Sequence, residues 1–189
     1  MNIILLSGGS GKRLWPLSND IRSKQFIKIF KTADGYESMV QRVYRQITEV
    51  DKDASVTIAT SKTQVSAIHN QLGDSVGVCV EPCRRDTFPA IALATAYLHD
   101  VKGVGPDEPV VVCPVDPYVN NDYFEALKVF FQHARRMERA QRRSRQMGLA
   151  LGHRAGQTRR CGPTPPRHRN PSGARFLWRT TRRRAIHVL

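Results

Sequence analysis

The chain has 189 residues and a formal charge of +14, a balance that taken whole points towards nucleic acid. That average conceals two halves: residues 1–134 hold 14 Lys+Arg against 15 Asp+Glu, whereas residues 135–189 hold 16 Arg, no Lys and Glu138 as their one acid. The excess charge therefore excludes little about the first 134 residues, which form a near-neutral stretch long enough for one ordinary domain.

The first element is a short apolar run, Ile3-Ile4-Leu5-Leu6, which suits a strand buried on both faces. It runs directly into Ser7-Gly8-Gly9-Ser10-Gly11 and then Lys12-Arg13. Glycines there let the backbone turn sharply and approach a ligand closely. Exposed N–H groups in such a turn make a concave anion site, and Lys12 and Arg13 add fixed positive charge. The expected guest carries phosphate. Neither the Walker pattern nor the dinucleotide fingerprint fits: the first needs Ser or Thr after its Lys, and the second would need glycine at Leu14. Trp15 reads as a packing residue that holds this loop against the domain.

Ser38 to Glu49 carries apolar residues at helical spacing, with Ser38 as N-cap. Val56–Ala59 predicts a strand, and Lys62–Leu72 a helix stopped by Gly73. Val76–Val80 predicts a third strand. Thr87–Leu98 is apolar nearly all round and reads as a buried helix with Pro89 in its first turn. Pro109–Cys113 is a fourth strand, and Tyr123–Ala134 another helix. This alternation predicts an α/β fold, a mostly parallel sheet with helices on both faces. Ligands of such sheets bind beyond the carboxyl ends of the strands. That rule gathers Ser7–Lys24, Thr60–Thr63, Glu81–Thr87 and Pro114–Tyr118 at one edge.

The string GGSGKRLWPLS, followed by Lys24-Gln25-Phe26, resembles the signature of the sugar-1-phosphate nucleotidyltransferases, in the form of the mannose-1-phosphate guanylyltransferase branch. Most members have Pro before that Lys, whereas this chain has Ser23, which predicts a less rigid loop. The resemblance implies a GT-A-like, Rossmann-like nucleotidyltransferase fold. It also implies GTP and mannose 1-phosphate as substrates, with Mg²⁺ as cofactor. Arg13 and Lys24 would be catalytic, and Gly8, Gly9, Gly11 and Lys12 would contact the nucleotide.

A second segment, Glu81-Pro82-Cys83-Arg84-Arg85-Asp86-Thr87, is similar to the family's loop along the purine, with Asp86 in place of the usual Asn. Guanine offers N–H donors that the Glu81 or Asp86 carboxylate can accept, with Arg85 beside the nucleoside. The alternative is a solvated ion cluster. A third segment, Cys113-Pro114-Val115-Asp116-Pro117, is similar to the family's PxDH. It retains Asp116, whose counterpart helps bind Mg²⁺, and has Pro117 at the His position. Otherwise Asp116 simply forms a turn.

The four cysteines, Cys79, Cys83, Cys113 and Cys161, lack the paired spacing of a zinc site. His69, His99 and His133 have no partners at metal-binding spacing and read as structural or surface residues. No secretory signal or membrane-length apolar run is found, so the expectation is a cytoplasmic protein that does not engage membrane.

From Arg135 the apolar periodicity is lost. Arg135–Arg145 has helical composition, but its clustered like charges repel. The rest of 135–189 predicts disorder. Two accounts compete for it. One is a basic arm that binds nucleic acid. The other is out-of-frame text from a gene rich in G and C, which the exclusive use of Arg favours. Other functional readings remain open: a different base or sugar, or a GTP-binding unit without turnover.

Overall fold

The computed structural model describes residues 1–9, 14–19, 23–33, 35–83, 85–155 and 187–188. Strand β1 (Asn2–Ser7) is its centre. Parallel partners flank it: β4 (Ser55–Ser61) on one side and β6 (Val110–Pro114) on the other. Strand β5 (Gly77–Glu81) pairs with β4, and β7 (His187–Val188) pairs with β6. The five strands lie in the order β5-β4-β1-β6-β7 and all run parallel.

Alternation along the strands divides the core in two. Ile3 stands beside Val56 and Val111, and Leu5 beside Ile58 and Cys113. These side chains face α1 (Met39–Val50), α2 (Val65–Leu72) and α4 (Asn121–Ala155), whose Val40, Val43, Ile47, Ile68, Phe124 and Leu127 complete that layer. Ile4, Val112, Ala59 and Cys79 face the other way, against Ile91, Ala94 and Leu98 of α3 (Thr87–Asp100). The expected architecture is present, with helices on both faces of a parallel sheet.

Local chemistry sets the helix ends. Ser38 accepts from the Gln41 backbone N–H, and the Gln41 side chain accepts from the Ser38 N–H, a full capping box. Gly73 stops α2 with φ of +68°, a conformation other residues adopt only at a cost.

One element was not foreseen and two expectations need correction. Between Phe26 and Ser38, β2 (Lys28–Thr32) and β3 (Gly35–Ser38) form an antiparallel hairpin. The Asp34-Gly35 pair in the sequence is a hairpin signal that could have announced it. Helix α3 is buried on one face only: Phe88 is 79% exposed and Leu93 38% exposed. Helix α4 does not stop at Ala134 but runs 35 residues to Ala155. Its Arg135 pairs with Glu108 at 2.9 Å, and Arg142 pairs with Asp107. Two acids ahead of β6 thus offset part of the like-charge repulsion, and Arg, Gln, Met and Ala are strong helix formers. The expectation of disorder for the later tail falls mostly on residues 156–186 and 189, outside the described residues.

Among the described residues no helix is long and apolar enough to cross a membrane.

Candidate functional site

In the order β5-β4-β1-β6-β7, the chain steps outwards on one side of β1 and then reverses to the other. Beyond the carboxyl ends of β1 and β6 the two flanking loops therefore diverge and leave a crevice. Ser7–Gly9 leaves β1 there, and Pro114–Asp116 leaves β6. The Val115 N–H still donates to the Leu6 carbonyl at 3.3 Å, so β6 delivers Asp116 beside the glycine loop.

A cavity of about 430 Å³ opens at this edge, on the α3 side of the sheet. Leu6, Ala59 and Pro114 form its floor, Gly8 and Gly9 one wall, and Glu81, Asp86, Thr87 and Ala90 the other. Thr87 is the first residue of a 14-residue helix, whose amino end carries partial positive charge. The cavity thus meets bare backbone on one side, a helix N-terminus on another, and two carboxylates between them.

Gly8 and Gly9 do not adopt left-handed φ, so the turn itself does not require glycine. Nor does the protein's packing. A Cβ on Gly9 would meet nothing within 4 Å, and one on Gly8 would stand 3.4 Å from the Glu81 Oε1. The space beside Gly9 is thus free of other protein atoms, whereas Gly8 faces the Glu81 carboxylate.

Asp86 precedes α3 with φ of +65° and ψ of −173°, a region that non-glycine residues occupy at a cost of roughly 1–3 kcal/mol. This strained residue belongs to the wall of the cavity.

Lys24 and Asp116 stand beside the cavity rather than in its lining. The Lys24 Nζ donates to Asp116 Oδ2 at 2.7 Å, with both side chains partly exposed. Arg85 is exposed and does not line the cavity. Gly11, Lys12, Arg13 and Arg84 lie outside the described residues, and so do the readings made of them. The structure therefore gathers Gly8, Gly9, Glu81 and Asp86 in one cavity, sets Lys24 and Asp116 together at its side, and keeps Arg85 apart.

Trp15 is 77% exposed, which overturns its reading as a packing residue. Leu14 and Leu17 on either side of it are also exposed, so this segment projects instead of seating the loop.

What does seat the loop is a set of buried polar side chains to which the sequence reading gave no such role. Ser7, Ser23, Gln25, Thr60 and Gln64 are each at most 1% exposed. The Ser23 hydroxyl donates to the Gly9 carbonyl at 3.0 Å. The Gln64 amide donates to the same carbonyl at 3.2 Å and to Ser23 Oγ at 2.6 Å. Gln25 Nε2 reaches Ser7 Oγ at 3.2 Å and Gln64 Oε1 at 3.3 Å. Thr60 Oγ1 lies 3.0 Å from Gln64 Oε1 and 3.2 Å from the Ser7 carbonyl. Ser23, expected to loosen the loop, ties it.

Two thiols, Cys79 and Cys113, are buried. Burial pushes Cys113 up to about 11, only partly offset by a hydrogen bond with Tyr123. Burial, with the Glu81 charge behind it, also raises Cys79. Cys83 is exposed. His69 bonds Asp74, and His99 bonds the Val104 carbonyl, each at 3.0 Å. Among the described residues no three His, Cys, Asp or Glu side chains converge as a metal cage.

A family profile described as "Nucleotidyl transferase" matches residues 2–146. The mannose-1-phosphate guanylyltransferase of Escherichia coli is 31% identical over 138 residues, 69% of this chain and 27% of that protein. The alginate biosynthesis protein AlgA of Pseudomonas putida is 32% identical over 122 residues, 62% of this chain and 24% of that protein. A crystal structure described as mannose-1-phosphate geranyltransferase from Thermus thermophilus superposes with a TM-score of 0.53 and 26% identity, covering 68% of this chain and 36% of that one. The chain spans about a quarter of the length of the curated relatives it matches.

Proposed function

The chain belongs to the nucleotidyl transferase family, and from that premise we propose that it binds GTP and serves the transfer of its guanylyl group to mannose 1-phosphate, giving GDP-mannose and pyrophosphate. A phosphate oxygen of the sugar phosphate attacks the α-phosphorus of GTP. The new P–O bond forms as the bond from the α-phosphorus to the bridging oxygen breaks, and pyrophosphate leaves with that electron pair. Little covalent work falls to the protein. It holds two anions in line and offsets charge on the transferring phosphoryl group.

The observation that carries this reading is the cavity at the carboxyl edge of the sheet, lined by Gly8, Gly9, Glu81, Asp86 and Thr87, where Gly9 meets open space and Gly8 stands beside the Glu81 carboxylate. Gly8, Gly9 and Gly11 would give backbone contacts to the triphosphate. Lys12 would contact the nucleotide, and Arg13 would hold the leaving phosphates. Glu81 and Asp86 would accept the N–H donors of guanine, with Arg85 beside the nucleoside. Lys24 would contact the α-phosphate or the attacking phosphate.

Asp116 is a partly exposed carboxylate, and among the described residues no three His, Cys, Asp or Glu side chains gather around a metal position. That donor set fits a magnesium ion completed by phosphate and water oxygens rather than a protein-only cage. Such an ion, when bound, neutralises phosphate charge. The chain's own share would be the Asp116 carboxylate, with Lys24 beside it to face phosphate.

The same donor set favours one second reading, a GTP-binding unit that does not turn over. Titration with GTP, UTP and ATP in magnesium, followed by assay of pyrophosphate release with mannose 1-phosphate, separates the two readings and tests the choice of base. Soluble substrates of this kind are consistent with a cytoplasmic location.

A further inference from the structure

The glycine loop is held by more than its neighbours in sequence. Two of its carbonyls, of Ser7 and Gly9, turn into the buried cluster formed by Ser23, Gln25, Thr60 and Gln64. Ser7 and Thr60 lie on the strand faces that look towards α1 and α2, whereas the cavity opens on the α3 side. The cluster thus lies behind the loop and not in the ligand space.

Gln64 is its hub. One amide group bridges Gly9 O and Ser23 Oγ, while its carbonyl faces Thr60 Oγ1 and Gln25 Nε2. Ser23 completes a closed triangle: it accepts from Gln64 and donates to Gly9 O. The side chains of Ser7, Ser23, Gln25, Thr60 and Gln64 are buried, so water does not replace a partner lost among them, and a half-satisfied network of this kind costs more than none; Gly9 itself is exposed, and the cluster holds its carbonyl from the buried side. A trans peptide fixes its N–H opposite its C=O. Holding Ser7 O therefore also fixes the direction of the Gly8 N–H, which belongs to the cavity wall.

We propose that Ser23 and Gln64 are positioning residues for phosphate recognition: by doubly bonding the Gly9 carbonyl they hold the backbone of the glycine loop in its anion-binding form. They touch no ligand and act through the loop. This inference rests on the nucleotide reading of the cavity. It adds that the loop's order depends on side chains brought from two separate elements, the turn before Lys24 and the start of α2.

The test uses the full chain with Ser23→Ala, which removes the hydroxyl with little change in volume, and Ser23→Thr, which keeps it. Gln64→Leu serves as a second disruption. Backbone ¹⁵N relaxation of Gly8 and Gly9 reports loop order without ligand, and GTP–magnesium calorimetry reports binding. Ser23→Ala is expected to lower the Gly8 and Gly9 order parameters from about 0.85 towards 0.6. It should also weaken GTP five- to tenfold, with other strand amides unmoved and both effects reversed in Ser23→Thr. Unchanged order parameters, or unchanged affinity in a wild-type background that binds GTP, overturn the positioning role alone. Absence of binding by the wild-type protein overturns the nucleotide reading as well.

Discussion

Lys24 and Asp116 are 92 residues apart in the chain, yet the lysine Nζ stands 2.7 Å from the carboxylate Oδ2. The pair joins the turn after the glycine loop to the end of β6, across the divergence of the two strands. With 39% and 45% of the two side chains exposed, it contributes only ~0–1 kcal/mol to stability. On the proposed nucleotide reading, its value lies in what each partner does when a ligand separates them. Asp116→Asn is therefore expected to shift the urea midpoint little, while the magnesium dependence of GTP affinity is lost. A large loss of stability with retained magnesium dependence would make the pair a structural clamp.

Gly8 and Gly9 give a sharper separation of folding from binding. Neither has left-handed φ, and an added methyl meets at most the Glu81 carboxylate at 3.4 Å. Alanine also reduces the freedom of the unfolded chain, so Gly8→Ala and Gly9→Ala should remain within about 1 kcal/mol of the parent protein. The same methyl projects where a phosphate is expected, and at least a tenfold loss in GTP affinity should follow, roughly 1.4 kcal/mol. Thermal melts and calorimetry on the two variants check both halves.

Arg13 is the charge assigned to the leaving phosphates. A positioned charge at a reacting centre is worth ~2.7–4 kcal/mol, so Arg13→Ala should lower kcat/KM by more than tenfold wherever turnover is measurable. An unchanged rate removes Arg13 from the mechanism.

Acid stability follows from Asp51. Burial alone would raise its carboxyl, but the α-amino group of Met1 at 2.7 Å and Lys128 at 3.6 Å outweigh that and hold it below the usual carboxylate range. A folded-state value below the unfolded one means that the unfolded chain binds more protons as pH drops. The stabilisation is complete above the unfolded value of about 3.9 and fades as pH falls through the lower folded value. Asp51→Asn should flatten the dependence of unfolding free energy on pH below about 4, measured by urea titration across that range.

Thiol chemistry offers a probe of the loop between β5 and α3. Cys83 is exposed two residues from Glu81, whereas Cys79 and Cys113 are buried and raised in pKa. Maleimide at neutral pH should label Cys83 and spare those two, as mapped by peptide mass. GTP with magnesium should slow labelling at Cys83 several-fold. A rate indifferent to nucleotide would take this loop away from the base.

The sheet and its helices were legible because their signals are local. Apolar runs such as Ile3–Leu6 and Val110–Cys113 mark buried strands, and Ser38 with Gln41 announces a capped helix. The loop edge followed from parallel topology alone. Helix α4 past Ala134 was not legible, because the acids that relieve its arginines, Asp107 and Glu108, come from before β6. Trp15 misled for a related reason: a large aromatic beside a glycine loop suggests packing, but nothing in the sequence specifies what it would pack against. The cluster around Gln64 was invisible because it joins three separate stretches of chain, and Ser, Thr and Gln are ordinary surface residues until the fold buries them. Glycine at 8 and 9 suggested a tight turn as well as close approach to a ligand, and neither residue has the left-handed φ that would make glycine necessary for the turn.

The account turns on whether the β1/β6 crevice takes a nucleoside triphosphate. Calorimetric titration of the full chain with GTP and magnesium tests this most directly, with Gly9→Ala as comparison. The prediction is saturable one-to-one binding by the parent protein, stronger for GTP than for UTP or ATP and at least tenfold weaker in the variant, a difference of about 1.4 kcal/mol. Absence of heat with all three nucleotides, or equal binding by parent and variant, would contradict it.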